Sequence, residues 1–343
     1  MATVQAGTQD EVAGEQGLRA GENIEYLLLR GIHSVDPQTL GGSAKKTKTF
    51  LPCWPVVTNS VFMAIETAVP LEDELGDVLE KAMRCAELSD DTLGELAGVS
   101  TEKIRDAIDY RYDFSLEEIA RLAGVLALNE VGLSALASGR YPVPEIGGLP
   151  FCLHALHMPH GIGVANAYIL ADCGTSRGIL FDTGADPYDL LRVWPSGIRH
   201  LDAIFITHPE TEHVGGLAEV QRHFGMVPVF GPVGAVIPRA LALAEGTRIK
   251  LGDLEVETLA TPGHAEAHNC YLVRAAGLWS SRALLISGDI LFAGSVGCPF
   301  FCSEKLKVHV KRLLTLPDDT VVAPGHGPLT SIKNERTFNP FVL

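Results

Sequence analysis

Four hydrophobic segments in the second half of the chain each end in a turn-forming residue followed by side chains able to bind a metal ion. The densest is 203–206, which leads into Thr-His-Pro-Glu-Thr-Glu-His at 207–213. The others lead into Thr-Pro-Gly-His at 261–264, Ser-Gly-Asp at 287–289 and Ala-Pro-Gly-His-Gly at 323–327. Zinc and iron both accept imidazole and carboxylate ligands. One such run could be a surface loop that has these residues by chance, but four strand ends of this kind in one domain predict that the chain binds metal.

The same half of the chain alternates strand-like and helical patterns. Strands are predicted at 151–157, 164–170, 178–181, 203–207, 227–230, 254–260, 270–273, 283–287 and 320–323. Helices are predicted at 186–193, 216–224 and 304–314. Strands mixed with helices, with polar motifs at the strand ends, are typical of a layered α/β sandwich whose loops form the functional site.

The length of 343 residues is sufficient for two domains. Residues 1–70 have a polar start and no sustained period, which predicts a weakly ordered extension. Residues 71–140 have helical spacing and predict a small all-α domain. The Pro- and Gly-rich stretch 141–150 is interpreted as a linker, and 151–343 as the α/β domain.

The helical region begins with an amphipathic pattern. Apolar residues at steps of three and four predict one buried helix face, formed by Leu75, Val78, Leu79, Ala82, Met83 and Ala86. Residues 93–104 then predict a helix, a Gly-containing turn and a second helix, which resembles a helix-turn-helix of the phage-repressor type. A further helix is predicted at 115–128, where Ser115 and Glu118 can form a capping box.

Charge argues against nucleic acid as the main partner. Residues 72–145 carry 17 acidic residues against 7 Lys and Arg, a net charge of −10, and the whole chain has a net charge of −15. A recognition helix is normally basic, so a scaffold or a dimerisation module is a better interpretation of the helical region than DNA binding. A small-molecule substrate is the expected partner; DNA is the less favoured alternative, a homodimer is left open and no membrane association is expected.

Cysteine usage and the N-terminus bear on location. The seven cysteines are scattered and include no CxxC pair, which predicts reduced, mostly buried thiols rather than a disulfide framework. The first 20 residues lack both a basic segment and an apolar run, so no signal peptide is expected and the predicted location is the cytoplasm.

The motif series of 150–343 resembles that of the metallo-β-lactamase superfamily and, within it, the hydroxyacylglutathione hydrolase (glyoxalase II) branch. Besides the four metal-ligand runs, the resemblance rests on Phe-Asp-Thr-Gly at 181–184, His-Ala-Glu-Ala-His-Asn-Cys-Tyr at 264–271, Gly-Asp-Ile-Leu-Phe-Ala-Gly-Ser at 288–295, Gly-His-Gly-Pro at 325–328 and Asn-Pro-Phe at 339–341. It implies an αββα metallo-β-lactamase sandwich, here preceded by a small all-α domain similar to a helix-turn-helix.

Carried over by position, the resemblance implies that His208 and His264 bind one metal ion and that His213 and His326 bind a second. It also implies that Asp289 bridges the two ions. The implied cofactor is two zinc ions per chain.

Two positions depart from the family's His-x-His-x-Asp-His run. Glu210 replaces its second His, and Glu212 replaces its Asp. A glutamate at the first of these places resembles the diiron flavoprotein branch, so iron is the alternative metal, and a degraded, metal-poor site is a third. With both positions included, the seven predicted metal ligands are His208, Glu210, Glu212, His213, His264, Asp289 and His326.

The function implied by the resemblance is hydrolysis of an ester, thioester, lactone or phosphoester by a hydroxide held between two metal ions. Asp289 and Glu212 are the predicted catalytic residues, and Asp182 is expected to hold the loop geometry or to orient a ligand histidine rather than bind metal. The alternatives are an iron-dependent oxidoreductase of the same fold and a DNA-binding, ligand-sensing regulator with a degenerate site. The helical domain that follows this motif series in glyoxalase II enzymes has no counterpart in the sequence, so a glutathione thioester is not assumed as the substrate.

Overall fold

The structure is a computed structural model that describes residues 69–111, 113–161, 163–277 and 282–343. The extension predicted for 1–70 therefore lies outside the described residues except for its last two positions, and Cys53 lies outside them too. Across the described ranges, no helix is both long enough and apolar enough to cross a membrane.

Five helices form the N-terminal part of the described chain. They are α1 (Leu75–Ala86), α2 (Asp90–Ala97), α3 (Thr101–Ile108), α4 (Leu116–Leu126) and α5 (Glu130–Ala137). Their apolar faces meet in one buried cluster that includes Leu75, Leu93 and Leu122. The predicted face of α1 is buried except for Ala86, which is exposed because it lies in the last turn of the helix, next to the left-handed Glu87.

The helix pair predicted from 93–104 is present as α2 and α3, joined through Gly98 at φ +61°. The capping box of α4 is also confirmed, since the Ser115 hydroxyl accepts the Glu118 amide at 3.2 Å and the Ser115 amide donates to the Glu118 carboxylate at 2.8 Å. Whether α2 and α3 bind DNA stays a prediction. Both basic side chains of α3 are engaged within the chain, Lys103 with Glu118 and Arg105 with two aspartates.

The remainder contains two six-stranded sheets. The first consists, in spatial order, of β1 (Cys152–His160), β2 (Gly163–Ala171), β3 (Arg177–Phe181), β4 (His200–Phe205), β5 (Val229–Pro232) and β6 (Ala240–Leu243). The second contains β7 (Arg248–Leu251), β8 (Leu254–Ala260), β9 (Asn269–Ala275), β10 (Leu284–Gly288), β13 (Val321–Pro324) and β14 (Thr330–Ser331) in the order β14-β13-β10-β9-β8-β7. A hairpin of β11 (Leu291–Phe292) and β12 (Ser295–Val296) follows β10 along the chain.

Helices cover the outer faces of both sheets. They are α6 (Pro187–Val193), α8 (Leu217–Phe224), α9 (Ser303–Leu313) and α10 (Ile332–Phe338), whereas the single turn α7 (Thr211–Val214) follows β4 at the edge of the sandwich. Aromatic residues of both sheets fill the space between them, with the Phe205 ring 5.1 Å from that of Phe181 and 5.2 Å from that of Tyr271. Separate clusters bury α6 and α8 on the first sheet and α9 on the second. The architecture is the expected αββα sandwich.

All nine predicted strands and all three predicted helices of this part have counterparts in the structure. The sequence analysis missed β6, β7, β11, β12 and β14, together with α7 and α10. The missed strands are two to four residues long and α7 is a single turn of four, so little periodicity marks them. Length does not explain the missed α10, because α6 also has seven residues and was predicted.

Parallel pairing brings the motif-bearing strand ends together. Strand β3 pairs in parallel with β4, and β10 pairs in parallel with β13. Because the carboxyl ends of parallel strands lie at the same edge of a sheet, the residues that follow these four strands converge. Asn166 of β2 then joins the two sheets at this edge, because its backbone amide donates to Gly325 O at 2.8 Å and its side-chain amide to Pro324 O at 3.0 Å.

The helical part is packed directly on the C-terminal end of the chain. The carboxylate of Glu335 in α10 is fully buried and accepts hydrogen bonds from the Tyr141 hydroxyl at 2.7 Å and from Gly294 N at 3.0 Å. Asn129 N donates to Pro340 O at 2.7 Å. A linker at 141–150 stays a prediction, although Tyr141 at its start is fixed by these contacts.

The cysteine prediction is wrong for one pair. Cys152 and Cys173 form a disulfide across the end of the β1–β2 hairpin. The antiparallel register places Cys152 opposite Ala171, so Cys173 is close enough to bridge to it. Cys85, Cys270, Cys298 and Cys302 are free thiols, of which Cys270 alone is buried.

Candidate metal centre

The seven predicted metal ligands lie together at the edge of the sandwich where β4, β8, β10 and β13 end. Their ligand atoms form three overlapping groups, each within 4.8 Å: His208, Glu210 and His264; Glu212, His213 and His326; and His208, His213 and Asp289. The first two groups have the same composition, two imidazoles and one carboxylate. Asp289 lies between them, which is the place required of a bridging residue.

Asp289 is the centre of the cluster. Its carboxylate oxygens lie 3.3 Å from His326 Nε2, 3.5 Å from His213 Nε2 and 3.7 Å from His264 Nε2. Burial alone would raise the pKa of Asp289, but His326 and His213 hold it well below its usual range. In turn, burial would lower the pKa of His326, while Asp289 raises it to about 9. The charged carboxylate therefore attracts cations, whether protons or metal ions.

Each ligand histidine is held by its outer nitrogen. His264 Nδ1 donates to Cys298 O at 2.8 Å, and His326 Nδ1 donates to Val164 O at 2.9 Å. His208 Nδ1 lies 3.0 Å from the Thr207 hydroxyl. A carbonyl oxygen can only accept, so in His264 and His326 Nδ1 carries a proton, and Nε2 is left as the atom that faces the cluster and can bind a cation.

Asp182 holds the fourth histidine. Its carboxylate accepts the His213 Nδ1 proton at 3.0 Å and the backbone amide and hydroxyl of Thr207, each at 2.8 Å. Asp182 adopts φ +56°, a left-handed conformation that Asp tolerates better than most residues. The structure thus places Asp182 behind a ligand histidine, as expected from the sequence.

The donor atoms at the centre suit a cation. The Nε2 atoms of His208, His213 and His264 and the Oδ1 atom of Asp289 are buried, and among the described residues none has a hydrogen-bond partner. A buried polar atom without a partner costs roughly 1–3 kcal/mol. Cations held by the groups to which these atoms belong would satisfy all four of them, so the residues present fit a metal.

Two glycines make room for this arrangement. A Cβ atom on Gly325 would lie 2.0 Å from Asp289 Oδ1, and one on Gly288, at φ +47°, would lie 2.7 Å from His268 Nε2. Each position also lies next to a ligand, His326 or Asp289, so any side chain there would displace the donor set.

The two glutamates that depart from the family pattern still reach the cluster. Glu210 Oε1 lies 3.3 Å from His264 Nε2, and Glu210 Oε2 lies 4.0 Å from His208 Nε2. Glu212 lies in the single turn of α7 beside His213 and groups with His326. Both glutamates are partly exposed, whereas the other five residues of the set are buried.

The sequence analysis assigned no role to two neighbours of the ligands. His268 is buried and accepts the Asp289 amide on Nε2 at 3.2 Å, while its Nδ1 lies 2.9 Å from the Thr261 hydroxyl. Burial holds the pKa of His268 well below its usual value, so the ring is neutral and can accept. Its position within the His-x-x-x-His segment 264–268 was a usable signal. The second neighbour is Glu72, whose carboxylate lies 3.6 Å from His326 Nδ1, and no signal in the sequence pointed to it.

His160 and Phe300 lie beside ligand rings at the surface. The ring centroid of exposed His160 is 5.7 Å from that of His326. Phe300 is 71% exposed, and its ring lies 5.3 Å from that of His264. His157, also on β1, lies 2.7 Å from the Asn166 side chain and so supports the strand rather than the ligands.

Together, the αββα architecture and a cluster of four histidines and three carboxylates define a metal-binding hydrolase. A family model described as the metallo-beta-lactamase superfamily matches residues 160–326. A protein of Bacillus subtilis described as a probable metallo-hydrolase, YqgX, is 32% identical over 211 residues, which cover 54% of this chain and 95% of the relative. The chain therefore belongs to the metallo-beta-lactamase superfamily and is a metallohydrolase.

Two further relatives extend the comparison. An uncharacterized protein of Aquifex aeolicus is 32% identical over 209 residues, covering 54% of this chain and 94% of the relative. A hydroxyacylglutathione hydrolase of Pseudomonas entomophila is 33% identical over 176 residues, covering 50% of this chain and 66% of the relative. The predicted resemblance to the superfamily, with hydroxyacylglutathione hydrolases among its relatives, is confirmed.

Proposed function

We propose that the chain hydrolyses an ester, thioester, lactone or phosphoester with two divalent cations held by the seven-residue cluster. The observation that carries this proposal is the set of four buried donor atoms without partners, arranged around Asp289. Two sets of two imidazoles and one carboxylate, joined by a third carboxylate, provide donors for two ions. A bound pair of cations supplies an acidified water molecule and stabilises negative charge on a carbonyl or phosphoryl oxygen.

The residues of the chain supply the positioning. Asp289 fixes the distance between the two donor sets, because its two oxygens face histidines of both. Glu212 belongs to one set and is partly exposed, so it lies where that set faces the solvent. Asp289 and Glu212 are therefore assigned to the reaction, and Phe300 beside His264 offers an apolar surface to the substrate.

Zinc is the proposed metal. Two imidazoles and one carboxylate with an open position form a common catalytic zinc site, but the same donors also suit non-haem iron. Glu210 in place of a histidine adds a harder ligand and favours iron more than the usual family pattern does. Iron-dependent redox chemistry is for this reason the second candidate function.

Elemental analysis of protein purified from its native host tests both candidates. We expect close to two zinc equivalents per chain and hydrolysis of generic ester or thioester substrates that is lost with a chelator and restored by zinc. Iron as the main metal would replace zinc in the proposal and favour the oxidoreductase. Folded protein that binds no added divalent metal would overturn the proposal.

A further inference from the structure

Glu72 reaches the metal centre from outside the part of the chain that the family model matches. It lies just before α1, whereas the family model begins at residue 160. Its carboxylate oxygen Oε2 is 3.6 Å from His326 Nδ1, and its side chain is only 29% exposed. The helical part therefore brings a carboxyl group to the edge of the metal centre. Burial raises the pKa of Glu72 to about 7, against the lowering effect of His326, so the group carries its negative charge above that pH.

The segment that carries Glu72 is held on both sides. On one side, a Cβ atom on Gly327 would lie 3.2 Å from Glu72 N, so the backbone of Glu72 is packed against the residue that follows His326. On the other side, the next residue, Asp73, is 6% exposed and accepts a hydrogen bond from the Ser295 hydroxyl. Lys81 of α1 pairs with Asp73 at 2.5 Å and donates to Val296 O at 3.0 Å. Glu72 is thus fixed between two anchors.

Glu72 lies next to the outer nitrogen of the His326 ring, and this position determines its effect on the ring. His326 Nδ1 donates to Val164 O at 2.9 Å, so the outer nitrogen carries a proton, and Glu72 lies close to that same nitrogen. A carboxylate near the outer nitrogen of an imidazole increases the electron density on the inner nitrogen and makes it a stronger metal ligand. The carbonyl of Val164 already orients the ring through a hydrogen bond. What Glu72 adds is the negative charge of its ionised carboxylate near the outer nitrogen.

We propose that Glu72 is a positioning residue that strengthens His326 as a metal ligand, so that metal affinity at the His213–His326 side depends on the helical part of the chain. This inference rests on the proposed metal centre. An acidic residue from the helical part of the chain then sets the affinity of one of the two metal positions. A merely structural Glu72 would affect folding and leave metal affinity unchanged.

Glu72→Gln tests the proposal, because it keeps the size and the acceptor oxygen of the side chain and removes the charge. We expect one of the two zinc equivalents, the one at the His213–His326 side, to bind about 10-fold less tightly, the lower end of the usual effect of changing the surroundings of a ligand histidine, because the hydrogen bond to Val164 O is kept. Zinc affinity is measured by competition with a chromophoric chelator at about pH 8, above the pKa of Glu72 that burial raises to about 7. The cobalt-substituted protein provides a second readout, since the visible spectrum of one of its two ions should shift.

Glu80→Gln is the matched control. Glu80 lies in α1, is more than half exposed and pairs with Arg84 in solvent, so its loss should leave both zinc affinities unchanged. Glu72→Asp keeps the charge and should recover most of the affinity lost in Glu72→Gln. Equal zinc affinities and cobalt spectra for wild type and Glu72→Gln, at similar melting temperature, would overturn the inference. Wild-type protein that binds no metal would instead refute the proposed function.

Discussion

Asp182 accepts a hydrogen bond from His213 Nδ1 at 3.0 Å with the same oxygen that accepts the Thr207 hydroxyl at 2.8 Å. One carboxylate at the end of β3 therefore fixes both a ligand histidine and the segment that carries His208. Because the His213 ring is buried, its orientation depends on this partner. The Asp-Thr-Gly run at 182–184 is distant from the predicted metal ligands in sequence, but through Asp182 it lies directly behind one of them in space.

Asp182→Asn should weaken metal binding without disturbing the backbone. Asn tolerates the left-handed conformation at φ +56° as Asp does, but it lacks the charge that holds the His213 proton. We expect a loss of about 10- to 100-fold in zinc affinity, measured by chelator competition. Asp186→Asn is the control, since the exposed Asp186 caps α6 and Asn is an equally good cap. Unchanged zinc affinity in Asp182→Asn would contradict this role.

Asp289→Ala should remove metal and turnover together. Its carboxylate lies within 3.7 Å of the inner nitrogens of three ligand histidines, so neither donor set is complete without it. We expect metal content, measured by elemental analysis, to fall from two equivalents to near zero and hydrolysis to fall to the level of chelated wild type. The exposed Asp319 provides a control in Asp319→Ala, which should retain both. Full activity in Asp289→Ala would refute the bridging assignment.

The fold and the ligand cluster could be predicted because their signals are local. Each ligand follows a hydrophobic strand within a few residues, and strand periodicity of seven or more residues is readable directly, as at 254–260. Strands β8, β10 and β13 run in one direction within their sheet, so their carboxyl ends lie at one edge, and Asn166 joins that edge to the first sheet. Glu210 and Glu212 could be placed in the site for the same reason, although they break the family pattern.

Contacts between distant parts of the chain could not be predicted in the same way. Glu72 lies beside His326 because its backbone packs against Gly327 and its neighbour Asp73 is anchored on Ser295. Nothing near Glu72 in sequence marks it as different from other surface glutamates. The pairing of Cys152 with Cys173 likewise depends on the register of β1 and β2, which the sequence does not specify.

Glu210→His should change metal preference. The substitution restores an imidazole where the family has one, and imidazole is a softer ligand than carboxylate, so zinc gains relative to ferrous iron. We expect the zinc-to-iron ratio of protein grown with both metals to rise about tenfold, the ratio that roughly 1.4 kcal/mol produces. Glu266→His is the control, because Glu266 is exposed and belongs to none of the three ligand groups. An unchanged ratio would show that Glu210 does not select the metal.

Two glycine substitutions should affect stability in opposite directions. A Cβ on Gly132 in α5 would lie 2.1 Å from Phe338 O, so Gly132→Ala should force α5 away from α10 and destabilise the protein by about 1–3 kcal/mol. Gly124 in α4 is exposed, and a Cβ there would have no neighbouring atom within 4 Å, so Gly124→Ala should stabilise the helix by about 0.5–1 kcal/mol. Urea unfolding of both variants measures the difference. A neutral Gly132→Ala would mean that the helical part is not tightly docked.

Metal-free protein should lose stability as the pH rises from about 7 to above 9. Against the effect of burial, Asp289 raises the pKa of His326 from 6.5 to about 9, so the protonated ring stabilises the fold below pH 6.5 and this contribution is lost as the pH rises through 9. His213 and His264, whose pKa values are also raised by neighbouring carboxylates, act in the same direction. Melting temperatures of chelated protein should therefore fall across this range, and His326→Gln should flatten the decline. Bound zinc should flatten it too, because it replaces the proton. A melting temperature that rises with pH in the metal-free protein would contradict the charge arrangement around Asp289.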